Sequence, residues 1–129
     1  MPGHAHINLL DDVKDSVDGR LEGLEGRFGR GPTGARDIGV SLWRYAPNLR
    51  NPTGHKHREQ EEAYLVVSGS GQILLDGEVK ELRQWDLVRV PPEVVRAFAA
   101  GPDGLDIVAV GGPKPEGGDG ETAPVTWPE

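Results

Sequence analysis

The chain has 129 residues, which is enough for one domain with a hydrophobic core and too few for two. It contains no cysteine, so disulfides, thiolate metal ligands and a cysteine nucleophile are excluded, and metal ligands must come from His, Asp and Glu. The formal charge of −7 disfavours polyanionic partners, namely nucleic acid and anionic membranes.

No segment has the features of a targeting or membrane sequence. The N-terminus lacks a basic start followed by an unbroken apolar stretch, and no window approaches the ~20 apolar residues of a membrane helix. We therefore predict a cytoplasmic protein.

Residues 1–37 are predicted to form an N-terminal arm. Its first 18 residues are polar and acidic, and the two histidines within them, His4 and His6, are interpreted as solvated side chains. The segment 20–30, bounded by glycines, predicts one strand within this arm.

Residues 38–111 have the pattern of a barrel of short strands. Glycines and prolines divide the chain, and apolar residues do not recur at helical spacing over three turns. Asp76 and Gly77 separate two strand-like runs and predict a type I′ hairpin. Six or more short strands at this spacing predict an all-β antiparallel sandwich or barrel, followed by an irregular tail over residues 112–129.

Two histidines and a glutamate lie close together in the stretch GHKHREQEEAY. His55 and His57 would share one face of a strand, because alternate side chains do. Glu62 lies five positions beyond His57, so it joins that face only if the strand is interrupted at residues 58–61. This polar run is predicted to supply the interruption, and the three side chains to converge on one metal-binding site.

These residues resemble a known family. In spacing, residues 54–69 are similar to the first cupin motif, whose matching positions are His55, His57, Glu62 and Gly69. Residues 85–100 are similar to the second motif, with Asp86, Pro91 and Phe98 in its order. The resemblance implies a small single-domain cupin, an antiparallel jelly roll (double-stranded β-helix), which binds a small molecule at the barrel mouth and often forms homodimers.

The second motif departs from the family pattern. Trp85 and Glu93 replace glycines, Ala100 replaces an asparagine, and Arg96 stands where the family has its fourth metal ligand, a histidine. Guanidinium has no lone pair to donate and cannot ligate a metal ion. In one alternative Arg96 pairs with Glu62 in a pocket without metal; in the other, His55, His57 and Glu62 hold an ion and Arg96 binds an anionic ligand beside it.

Two functions remain open at this point. The first is a small-molecule-binding cupin, with a divalent ion (Fe, Mn, Ni or Zn) held by the partial His-His-Glu site and with Arg96 and Tyr64 as ligand contacts. The second is a metal-dependent enzyme that acts on a small anionic substrate by dioxygenation, isomerisation or decarboxylation, the reactions that the resemblance implies. The sequence assigns no catalytic residue.

Overall fold

The computed structural model describes residues 3–17 and 19–128, which form eight strands and one single-turn helix. The elements in chain order are β1 (Leu24–Phe28), α1 (Arg30–Thr33), β2 (Gly39–Tyr45), β3 (Thr53–His57), β4 (Glu62–Leu75), β5 (Glu78–Arg83), β6 (Leu87–Val90), β7 (Arg96–Gly111) and β8 (Gly120–Pro124). All strand pairs are antiparallel. Within the described ranges, no helix has the length and apolar character needed to cross a bilayer.

Two long strands, β4 and β7, form the centre of the sheet. They pair with each other, and β4 also pairs with β5 and β6 while β7 also pairs with β2 and β3. Register shifts between Val66 and Ser68 and between Gly69 and Gly71 interrupt this pairing. Such bulges bend a strand and increase its twist, which lets one sheet curl around its core. The predicted all-β antiparallel jelly roll is confirmed.

The turn between β4 and β5 is the predicted hairpin. Asp76 and Gly77 both have positive φ, 47° and 87°, and Leu75 lies opposite Glu78. A type I′ turn requires this conformation at both central residues.

The barrel interior is filled from both long strands and β2. Tyr45, Tyr64 and Phe98 are buried, and the Phe98 ring lies 6.0 Å from that of Tyr45 and 5.0 Å from that of Tyr64, centroid to centroid. Val66, Ile107 and their neighbours complete this core. The same inward face of β4 ends at Glu62, so the core leads directly to this carboxylate.

The C-terminal segment differs from the irregular tail that the sequence predicts. Residues 120–124 form β8, which pairs with β3 over five positions, and the Trp127 indole donates to the Asn51 carbonyl at 2.9 Å. Only Ala123 of this strand is buried. The segment is held mainly by backbone pairing. Because it buries so few side chains, its sequence lacks the alternation of apolar and polar residues that predicts a strand.

Candidate metal centre

Strands β3 and β4 carry the three predicted metal ligands. His55 and His57 lie on one face of β3. Residues 58–61 form a non-strand segment, and Glu62 begins β4. The Nε2 atoms of His55 and His57 lie 3.6 Å and 3.1 Å from Glu62 Oε1. One ligand atom from each residue falls within 4.8 Å of the other two, so the group could hold a metal ion.

Glu62 is the centre of this cluster. Its Oε1 accepts hydrogen bonds from the Tyr64 hydroxyl and from Arg96 Nη1, the latter at 3.0 Å. Burial would raise the pKa of Glu62, but the contacts with His55, His57 and Tyr64 outweigh it and hold the pKa well below its usual range. Glu62 is therefore a carboxylate, the form that both an arginine and a metal ion require.

Arg96 is completely buried and its contacts are internal. Besides Glu62, the guanidinium donates through Nη2 to the carbonyls of Pro91 at 2.6 Å and Pro92 at 3.4 Å. This is the Arg96–Glu62 pair of the first alternative. With 0% of its surface exposed, the side chain supports Glu62 from behind.

Tyr64 also points inward. It is 4% exposed, and its hydroxyl is committed to Glu62. Burial is the first cause that raises the pKa of Tyr64, and the nearby Glu62 charge adds to it, so the hydroxyl remains a donor. Direct ligand contact by Arg96 and Tyr64 thus stays a prediction, while their contacts give both the role of holding Glu62 in place.

An acid that the sequence analysis missed lies behind His57. Asp119, which is 2% exposed, places Oδ1 at 2.9 Å from His57 Nδ1 and 2.7 Å from Gln60 Nε2. Its Oδ2 accepts from the backbone N–H groups of Glu59 and Gln60, at 2.7 and 2.9 Å. Asp119 follows two glycines in a polar tail, and no spacing rule connects it with a histidine 62 positions away.

The donor atoms fit a divalent ion. His57 Nε2 is buried and, among the described residues, has no hydrogen-bond partner, although it lies close to Glu62 Oε1. The pKa of His57 is raised above its ordinary value: the contact with Glu62 is the main cause, burial acts in the opposite direction, and Asp119 behind the ring adds to the rise. The distances of 3.6 and 3.1 Å from the two imidazole nitrogens to the carboxylate oxygen match the spacing of ligands that each lie ~2.1 Å from a shared ion. Arg96 replaces a fourth ligand, so the protein would supply three.

The class of protein follows from a comparison with known families. The family of cupin domains matches residues 41–111, more than half of the chain, and the chain belongs to the cupin family. The resemblance seen in the sequence is confirmed.

Solved structures share this fold. A cupin protein from Bacteroides fragilis is 22% identical, with a TM-score of 0.72 over 88% of this chain and 86% of that one. The polyketide cyclase RemF from Streptomyces resistomycificus is 21% identical, with a TM-score of 0.74 over 97% and 87%. Salicylate 1,2-dioxygenase from Pseudoaminobacter salicylatoxidans, with gentisate, is 18% identical with a TM-score of 0.62, and 71% of this chain covers 25% of that one.

A curated relative matches a shorter region. An uncharacterized protein of Methanocaldococcus jannaschii is 38% identical over 39 residues, which are 30% of this chain and 31% of that protein. The chain therefore spans about a third of the curated relative that it matches.

Proposed function

We propose that this cupin binds a small molecule at the barrel mouth, next to a divalent ion held by His55, His57 and Glu62. The observation that carries the proposal is the convergence of the three donor atoms, one of them a buried nitrogen without a hydrogen-bond partner among the described residues. A bound Fe, Mn, Ni or Zn ion would act as a Lewis acid with open positions for a ligand.

The chemistry of the surrounding residues favours an anionic ligand. An ion bound to Glu62 Oε1 would lie no farther than ~5 Å from Arg96 Nη1, because Arg96 is 3.0 Å from that oxygen. At an effective dielectric constant near 20, repulsion between the two is about 7 kcal/mol. A carboxylate in the open positions would offset this repulsion, so the charge of Arg96 favours an anion.

A second candidate is a metal-dependent enzyme acting on a small anionic substrate. Two histidines and one carboxylate are the ligand set of non-haem iron oxygenases. The structural similarity to a salicylate 1,2-dioxygenase that holds gentisate supports this candidate. Oxygen uptake by the iron-loaded protein with a panel of aromatic and aliphatic carboxylates would separate the enzyme from the binding protein.

The first test is metal binding by protein purified without a histidine tag. Titration with zinc should show one site, and His57→Ala should lower the affinity at least ~100-fold, because it removes one of three ligands. The exposed pair in the arm provides a matched control: His4→Ala with His6→Ala removes an identical HxH and should leave the site unchanged. Equal affinities in all three proteins would refute the proposal.

We also propose that a second copy of the chain covers the outer face of the sheet. Leu87, Leu65, Val108 and Leu42 are consecutive cross-strand neighbours on β6, β4, β7 and β2. Leu87 is 68% exposed, and this row alternates with the buried row of Tyr64 and Ala109.

The rims of this outer face favour self-association. Arg89 pairs with Glu61 at one side and Arg44 with Asp106 at the other, so each rim carries both signs and two copies can meet without like-charge repulsion. Light scattering should give a dimer for the wild type and a monomer for Leu87→Glu. Leu10→Glu, at an exposed leucine in the arm, is the control; a monomeric wild type would refute this assignment.

A further inference from the structure

We infer that Asp119 is a positioning residue that selects the tautomer of His57 and thereby makes the centre able to bind a metal. The carboxylate holds the proton of the ring on Nδ1, and Nε2 is left with its lone pair directed toward Glu62. The consequence for metal affinity rests on the proposed function, whereas the tautomer itself does not.

The partners of Asp119 fix its role as an acceptor. Its two oxygens contact two backbone N–H groups, the Gln60 amide nitrogen and His57 Nδ1, all within 2.9 Å. Three of these partners are N–H groups that donate to its oxygens, and such an environment stabilises the ionised carboxylate. An ionised carboxylate can only accept, so a ring nitrogen hydrogen-bonded to it must carry hydrogen. Nδ1 makes such a bond with Asp119, whereas Nε2, although 3.1 Å from Glu62 Oε1, has no hydrogen-bond partner among the described residues.

The C-terminal segment brings this acid to the site. Strand β8 pairs with β3 so that Gly120 lies opposite His57, and Asp119 falls just beyond the ring. A turn with positive φ at Gly117 and Gly118 precedes it, closed by the hydrogen bond from the Gly118 N–H to the Pro115 carbonyl at 2.8 Å. Residues 112–124, which lie outside the two cupin motifs, thus contribute Asp119 to the candidate metal centre.

Asp119 also fixes the segment 58–61, which separates β3 from β4. Its carboxylate accepts the N–H groups of Glu59 and Gln60, and its carbonyl accepts the N–H of Arg58 at 3.3 Å. This interruption places Glu62 on the same side as the histidines. One residue therefore orients both the imidazole and the chain that leads to the carboxylate ligand. Such partners behind a metal ligand typically contribute 10 to 100-fold to affinity.

The sharpest variant is Asp119→Asn, which has the same shape. The two backbone N–H groups require the amide oxygen, so the NH₂ group would face His57 Nδ1. That nitrogen must then accept, and the proton moves to Nε2, where it donates toward Glu62 and blocks ligation. Gln60 can satisfy the new arrangement by rotating its amide. Glu121→Gln is the matched control, since it neutralises an exposed acid two positions away, on β8.

Nitrogen NMR of the His57 ring provides the direct measurement, made on metal-free protein at alkaline pH, where imidazoles are neutral. We expect the Nδ1–H form in the wild type and in Glu121→Gln, and the Nε2–H form in Asp119→Asn. Zinc affinity should fall ~10 to 100-fold in Asp119→Asn and remain unchanged in the control.

The outcomes separate this inference from the proposed metal function. An Nε2–H ring in the wild type, or an unchanged ring and zinc affinity in Asp119→Asn, overturns the role of Asp119. A wild type that binds no zinc but has the Nδ1–H ring refutes the metal function and leaves the tautomer assignment standing. If Asp119→Asn does not fold, the wild-type spectrum still decides the tautomer.

Discussion

The two cupin motifs of this chain supply opposite sides of one centre, and they differ in what they retain. The first, residues 54–69, provides His55, His57 and Glu62, which could hold a metal ion, and its Gly69 has φ of 80°. The second, residues 85–100, provides a buried arginine in place of a ligand, and Trp85 has φ of 75° without being glycine. Strand pairing is antiparallel in both motifs. The backbone fold therefore tolerates the replacements in the second motif, although they change the chemistry of the site.

The largest effect should come from removing the arginine. Arg96→Ala leaves Glu62 and the Pro91 carbonyl without their buried donor, and we expect a loss of about 3 to 5 kcal/mol in the free energy of unfolding. Arg89→Ala breaks an exposed pair with Glu61 and should cost at most ~1 kcal/mol. Urea denaturation of both variants measures the difference; similar losses would show that Arg96 is not the structural support of the site.

A smaller loss is expected in the first motif from Gly69→Ala. A Cβ at this position would lie 2.1 Å from the Gly104 carbonyl oxygen, and φ is 80°. Positive φ and overpacking together should cost about 2 to 4 kcal/mol. The control is Gly31→Ala, where a Cβ meets no atom within 4 Å. Thermal unfolding should separate the two, and a Gly69→Ala protein as stable as the control would contradict the close approach of β4 and β7.

Restoring the fourth ligand tests the chemical side of the comparison. Arg96→His removes the positive charge and places an imidazole where the family has one, so zinc affinity should rise ~100-fold or more, because every 1.4 kcal/mol of relieved repulsion is a factor of ten. Arg96→Gln removes the charge without restoring the ligand and should give a smaller gain. Calorimetric titration compares the two, and identical affinities in wild type and Arg96→His would remove the charge argument.

The same comparison explains what could be predicted from the sequence. The hairpin at Asp76 and Gly77 and the shared face of His55 and His57 depend on local rules. The structure has the hairpin, and it brings one ligand atom of each histidine within 4.8 Å of the other. The Arg96–Glu62 contact joins residues 34 positions apart, and sequence reasoning could only offer it as one alternative. Asp119 and β8 could not be predicted, because the tail is held by backbone pairing and a single buried carboxylate, neither of which leaves a periodic pattern.

The smallest effect concerns Trp85, which occupies a backbone conformation suited to glycine. Its N–H donates to the Val66 carbonyl at 2.7 Å, and this contact holds the turn between β5 and β6 although φ is 75°. The indole is 66% exposed, so its packing contributes little against the strain. Trp85→Gly and Trp85→Ala both remove the indole, but only glycine relieves the positive φ, and the glycine variant should be more stable by about 1 kcal/mol. At the neighbouring Gln84, which is not among the positive-φ residues, the order should reverse, with alanine more stable than glycine. Chemical denaturation of Trp85→Gly, Trp85→Ala, Gln84→Gly and Gln84→Ala measures both differences in stability. If alanine were the more stable residue at position 85 as well, the turn would adapt without cost, and Trp85 would not strain the second motif.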